Sequence, residues 1–166
     1  MVHTYSIGVD IGGTNTDIGL VREDGKIVAR HNIPTNKYFD IEVYLKDIVE
    51  HVKAMMKENE VETIDGIGIC APNGNTYNCT FSGATNLNFK GEFNVQEIVN
   101  KYMDVKVVVS NDANAAAFGE MIYGAAKGMK NFIVITLGTG VGSGIVINGQ
   151  LVYGHDGFAG ELGHVT

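Results

Sequence analysis

With 166 residues, 45% of them hydrophobic and 19% charged, the chain is long enough for one well-buried domain or for one domain and part of another, and its composition is not that of a disordered segment. A formal net charge of -7 without a basic patch argues against nucleic acid as a partner and favours a small polar substrate. Apolar runs such as Val105 to Val109, interrupted by Lys106, are too short to span a bilayer, and the first residues lack the basic-then-apolar pattern of a signal peptide. No membrane partner and a cytoplasmic location are therefore expected. Cys70 and Cys79 form neither a C-x-x-C pair nor a disulfide framework and are expected to be free thiols.

Tyr5 to Ile11, Asp17 to Val21 and Lys26 to Ile33 read as consecutive antiparallel strands, with Glu23-Asp24-Gly25 turning the second into the third. From Ile41 the apolar positions Ile41, Tyr44, Leu45, Ile48, Val49, Val52, Met55 and Met56 follow a helical period that lasts to Asn59, the stripe of a helix packed on a core. Ile64 to Cys70 is a buried strand stopped by Ala71-Pro72-Asn73-Gly74-Asn75, since proline and glycine do not extend a central strand. Asn73 to Gly91 is long for a plain connection, a length that tends to carry function.

Asn94 is placed to cap a short helix through Tyr102, and Val105 to Val109 is another buried strand. Ser110-Asn111-Asp112 then opens an alanine-rich helix, Ala113 to about Tyr123, whose small side chains admit a neighbouring backbone. Gly124 to Lys130 reads as a hinge between a first domain, 1–123, and the beginning of a second, 131–166, in which Gly157 to His164 starts a helix. The class is α/β. Ile145 to Ile147 is expected to present an unpaired strand edge, which predicts self-association or high mobility after Gly124, and a homo-oligomer is the expected assembly.

Two glycine-rich turns carry most of the functional information. Ser6 to Asn15 and Ile133 to Gly144 each bring an apolar strand into a tight turn with a threonine hydroxyl and unhindered backbone N–H groups, a way to cup a phosphate without a side-chain charge. The second turn fails the dinucleotide pattern G-x-G-x-x-G at Ser143 and runs into strand residues Ile145-Val146-Ile147, and no P-loop pattern occurs anywhere. Either turn alone also fits an ordinary hairpin.

Other polar groups join them. Asn111 and Asp112 lie between a strand and a helix N-terminus, where they read either as a cap or as groups that hydrogen-bond a ligand, with a carboxylate kept ionised by the helix dipole and able to accept a proton. Glu161 and His164, spaced i and i+3, share one helix face, either exposed or aimed at a ligand. Asp10 sits in an otherwise apolar strand, where a carboxylate needs a partner such as a metal–phosphate complex.

In order along the chain, Asp10-Ile11-Gly12-Gly13-Thr14, Asn111 to Glu120, Leu137 to Gly144 and Gly160-Glu161-Leu162-Gly163-His164 resemble the ROK family of bacterial sugar kinases and sugar-responsive repressors, most of all its glucokinase branch. The resemblance implies the two-domain ribonuclease H-like, actin-like ATPase fold, with ATP, magnesium and a sugar as ligands. It implies that Gly12, Gly13 and Thr14 form a first phosphate loop with Asp10 near the magnesium, and that Gly138, Thr139 and Gly140 form a second. Asn111 and Asp112 would hydrogen-bond sugar hydroxyls, Asp112 also taking the proton of the attacking primary hydroxyl. Glu161 and His164 would bind hydroxyls at the anomeric end, and His164 would be a zinc ligand in members that carry a structural zinc.

Asn15 stands where lysine often follows the first Gly-Gly-Thr, and Ala71-Pro72-Asn73-Gly74 replaces a Pro-Gly-Pro turn. The resemblance further implies an N-terminal fragment that stops before the zinc cysteines and the adenosine pocket, and that is inactive by itself. A regulator of the same family would carry a helix-turn-helix ahead of this region, and an actin- or chaperone-type ATPase would not need Asn111-Asp112 with Glu161 and His164. The first strand begins within a few residues of Met1, which favours the ATP-dependent hexose kinase.

Overall fold

The computed structural model describes residues 3–82, 87–138 and 140–164, without the side chain of His164. The chain divides into two compact units, 1–110 and 111–166. The expected division lay later, at 124–130; the difference is the helix α3 (Asp112–Ile122), which packs on the sheet that follows it.

The first unit is built on a five-stranded sheet whose strands lie in the spatial order 27–34, 15–22, 5–11, 67–70 and 107–110. Strands β1 (Tyr5–Ile11), β2 (Asn15–Arg22) and β3 (Ile27–Pro34) form an antiparallel meander, while β4 (Ile67–Cys70) and β7 (Val107–Ser110) add in parallel to β1. Alternation along the strands turns Ile7, Val9, Ile11, Thr16, Ile18 and Leu20 inward. Onto that face packs α1 (Ile41–Glu58) through Tyr44, Leu45, Ile48, Val49, Val52 and Met55, all buried as their helical spacing predicts. The α1 N-terminus is capped by Asp40, whose carboxylate accepts from the N–H groups of Glu42 at 2.8 Å and Val43 at 3.1 Å.

The stretch read as a long loop contains structure of its own. Strand β5 (Thr80–Ser82) pairs with β6 (Glu92–Asn94), and Phe81, Leu87 and Phe89 are buried in the same core as α1. Its polar composition concealed a strand too short to show alternation. Asn94 does cap α2 (Val95–Val99), accepting from Glu97 N–H at 3.1 Å; the helix is shorter than expected because the chain closes into turns through Tyr102. Cys70 and Cys79 are free thiols, and burial pushes the Cys79 pKa up.

In the second unit, β8 (Phe132–Leu137), β9 (Val141–Ile147) and β10 (Gln150–Leu151) make an antiparallel sheet with β9 in the middle, so Ile145 to Ile147 is paired and is not the free edge that its sequence led us to expect. Helix α3 lies close against β9 because alanine meets glycine there: a Cβ on Gly144 would come within 2.5 Å of Ala117 Cβ and 2.6 Å of the Ala113 carbonyl. The expected helix from Gly157 is only a 3-10 turn, Leu162–His164. Among the described residues no helix is long and apolar enough to cross a membrane.

Candidate functional site

Both glycine motifs are hairpin turns between antiparallel strands. In the first, β1 and β2 pair from Tyr5↔Arg22 to Ile11↔Thr16, leaving Gly12 to Thr14 as the turn with Asn15 at the start of β2. Gly12 N–H closes it by donating to the Asn15 carbonyl at 3.0 Å, and a Cβ on Gly12 would lie 2.8 Å from that oxygen, so only glycine fits. The Gly12 N–H is thereby used internally. Those of Gly13 and Thr14 have no hydrogen-bond partner among the described residues, which leaves two adjacent donors at the tip. In the second turn, Leu137 pairs with Val141 and Gly138 N–H donates to the Gly140 carbonyl at 3.0 Å. Thr139 lies outside the described residues.

The parallel strands of the first unit place their carboxyl ends side by side, the end of an open α/β sheet where ligands bind. There the first turn follows β1 and the turn Ala71 to Gly74 follows β4, tied to β7 by Ala71 N–H donating to the Ser110 carbonyl at 3.0 Å. Asp10 is not at depth, as its apolar strand suggested. It takes the exposed phase of the alternation, between buried Val9 and Ile11, on the open face of the sheet. An open cleft of about 360 Å³ on that face is lined by Gly8, Asp10, Asp17, Gly19, Arg30 and Cys70 among others. Partial burial of its carboxyl, and then the charge of Asp17 directly across the ladder, push the Asp10 pKa above the ordinary carboxylate value. A hard divalent cation would relieve both effects, so this oxygen donor fits magnesium chemistry.

In the second unit the structure brings Asn111 and Glu161 together. Asn111 is the N-cap of α3: its Oδ1 accepts from Asn114 N–H at 2.8 Å, while its Nδ2 donates to Glu161 Oε1 at 3.2 Å. Asp112 is the first helical residue and is exposed, so capping falls to its neighbour. Glu161 precedes the 3-10 turn and is not on a helix face with His164, whose side chain, with the zinc role attached to it, lies outside the described residues. What holds Glu161 in place is Gly160, at φ +92°: its carbonyl accepts from Ser143 Oγ, and a Cβ on it would meet the Ser143 carbonyl at 2.8 Å.

Sequence reading passed over two polar groups. Asn114 is buried on α3, and its Oδ1 has no partner among the described residues, an uncommon state for a buried acceptor beside Asn111. Tyr44 was read as one position of an apolar stripe, yet its hydroxyl meets Thr16 Oγ1, which lies 2.7 Å from Thr35 Oγ1, and burial pushes its pKa up to about 12. The available signals were a tyrosine in a buried stripe, which seeks a partner for its hydroxyl, and a threonine in the inward phase of β2.

A meander of three antiparallel strands extended in parallel by β4 and β7, with a glycine hairpin there and a second one on its own sheet, defines the ribonuclease H-like, actin-like ATPase fold, the fold of the ROK sugar kinase structures that the chain matches. The ROK family pattern matches residues 6–166, and the chain belongs to that family. It is 37% identical over 169 positions to a glucokinase of Halalkalibacterium halodurans, covering 100% of this chain and 51% of that protein. It is 34% identical over 164 positions to a xylose repressor of Bacillus spizizenii, covering 98% and 42%. A ROK family glucokinase from Streptomyces griseus, solved in complex with glucose and AMPPNP, matches with a TM-score of 0.81 at 36% identity, over 97% of this chain and 50% of that one. The chain spans about half the length of the curated relatives it matches.

Proposed function

We propose that the whole protein carrying this chain is an ATP-dependent hexose kinase that converts glucose to glucose 6-phosphate. The observation that carries the reading is the division of labour at the start of α3: Asn111 caps the helix and binds Glu161, so the adjacent Asp112 carboxylate is not required for the cap. Asn111, Glu161 and His164 hold sugar hydroxyls in this scheme. The sugar's primary hydroxyl oxygen bonds to the γ-phosphorus, its proton passes to Asp112, and the bond from that phosphorus to the bridging oxygen breaks to release ADP. The N–H groups of Gly13 and Thr14, with the Gly138 to Gly140 turn, orient the ATP phosphates, and much of the rate comes from that alignment. Asp10 would hold magnesium, through water, and magnesium supplies charge neutralisation on the phosphates when bound.

The support comes from the glucokinase relatives and from the solved relative that holds glucose and an ATP analogue. A second reading, a sugar-responsive regulator without kinase activity, is favoured by the similarity to xylose repressors. A panel of hexoses offered to the whole protein with ATP, scored by ADP release, tests the two. Turnover with glucose supports the kinase; sugar binding without ADP release from any hexose supports the regulator.

A further inference from the structure

Beneath the first glycine turn lies a polar cluster that the phosphoryl-transfer scheme does not use. Thr16 and Tyr44 are 0% exposed and Thr35 2%, in a core that is otherwise aliphatic and aromatic. Tyr44 reaches in from α1, Thr16 from the start of β2, and Thr35 from the residue after β3. The Tyr44 hydroxyl meets Thr16 Oγ1, and Thr16 Oγ1 lies 2.7 Å from Thr35 Oγ1. The backbone continues the chain: Thr35 N–H donates to the Thr14 carbonyl at 2.8 Å, and Thr14 is the last residue of the turn. One connected path thus runs from α1 to the carbonyl beside the turn's two available N–H donors.

An apolar core would need valine, valine and phenylalanine at positions 16, 35 and 44; three buried hydroxyls instead have to satisfy one another, and Thr16 Oγ1 is the partner of both others. The Tyr44 ring is held independently of its hydroxyl, 5.0 Å from the Tyr38 ring and 5.4 Å from the Phe89 ring, centroid to centroid, so the oxygen is delivered to a set place. Directional bonds specify orientation where apolar contacts specify only volume, and an anion-binding turn depends on orientation.

We propose that Tyr44, Thr16 and Thr35 are positioning residues for the first glycine turn, holding Thr14 so that the Gly13 and Thr14 N–H groups stay aimed at a nucleotide phosphate. The proposal rests on the reading of that turn as a phosphate loop. None of the three touches the nucleotide; they act through the backbone of Thr14.

The experiment measures the affinity of AMPPNP and of glucose, by calorimetry on the whole protein, together with melting temperature. Thr16→Val keeps the shape and removes the hydroxyl; Thr16→Ser keeps the hydroxyl. The expected result is AMPPNP affinity weakened roughly five- to tenfold in Thr16→Val, about the worth of one of the two hydrogen bonds that it removes, with glucose affinity unchanged and Thr16→Ser near the parent. Should Thr16→Val fail to fold, Tyr44→Phe, which keeps the ring, carries the same comparison. A lowered melting temperature with unchanged AMPPNP affinity overturns the proposal and leaves the cluster a packing feature. Gly13→Val separates the two levels. If it leaves AMPPNP binding intact, the phosphate-loop reading fails; if it weakens binding while Thr16→Val does not, only the positioning role fails.

Discussion

At the first glycine turn, β1 and β2 rest on α1 through large side chains, and the base of the turn is tied by hydroxyls; at the second, β8 and β9 rest on α3 through glycine set against alanine. The opposite face of the second hairpin sends Ile133, Ile135 and Leu137 outward, at 54%, 58% and 81% exposure. Similar strand–turn–strand sequences are therefore supported by different physics. One hairpin depends on filling volume, the other on excluding it.

The largest expected effect tests the first half of that contrast. Leu45→Ala opens a cavity between α1 and the sheet and should cost about 2–5 kcal/mol, read as a large fall in the denaturant midpoint. Gly144→Val tests the second half from the other direction. Its side chain would collide with Ala117 and Ala113, at an expected cost of about 1–3 kcal/mol, and Ala117→Gly should recover part of it. If the enlargement is harmless, close approach of backbone is not what holds α3 to β9.

A smaller change sharpens the contrast on the open face of the first sheet. The Asp10 pKa is raised in the folded chain, so the folded state holds that proton more tightly than the unfolded state does. The group's penalty is absent in acid, where both states are protonated, sets in as pH rises through the carboxylate range, and persists above it. Asp10→Asn should therefore raise the melting temperature slightly near neutral pH, by removing first the cost of partly burying the charge and then the repulsion from Asp17, an effect that solvent screening at this exposed position keeps below about 1 kcal/mol, and leave it unchanged at strongly acidic pH. A uniform shift at all pH values would mean that charge is not the cause.

The meander, α1 and both hairpins were legible because each writes a clear period, 2.0 or 3.6, over many residues. Strands β5 and β6, three residues each, write none and were lost among asparagines and threonines. The boundary before α3 was hidden for another reason. An alanine-rich helix has a weak apolar stripe, and its sequence does not announce which sheet it packs on. Asn111 was singled out at a helix start and Glu161 on an expected helix face with His164, but their hydrogen bond joins residues fifty apart in sequence and depends on Gly160 in a left-handed conformation. The Tyr44 cluster was concealed because a tyrosine in an apolar stripe counts as apolar until its hydroxyl partner is seen.

The most direct test of the account is Asp112→Asn in the whole protein, with turnover, glucose affinity and melting temperature measured together. Asn111 already caps α3, so stability should fall by no more than about 1 kcal/mol, the worth of a carboxylate in the first turn of a helix, and glucose affinity should largely survive. Turnover should fall on the order of a hundred- to ten-thousand-fold, the usual worth of a positioned base. A near-normal turnover would remove Asp112 from the chemistry and contradict the account.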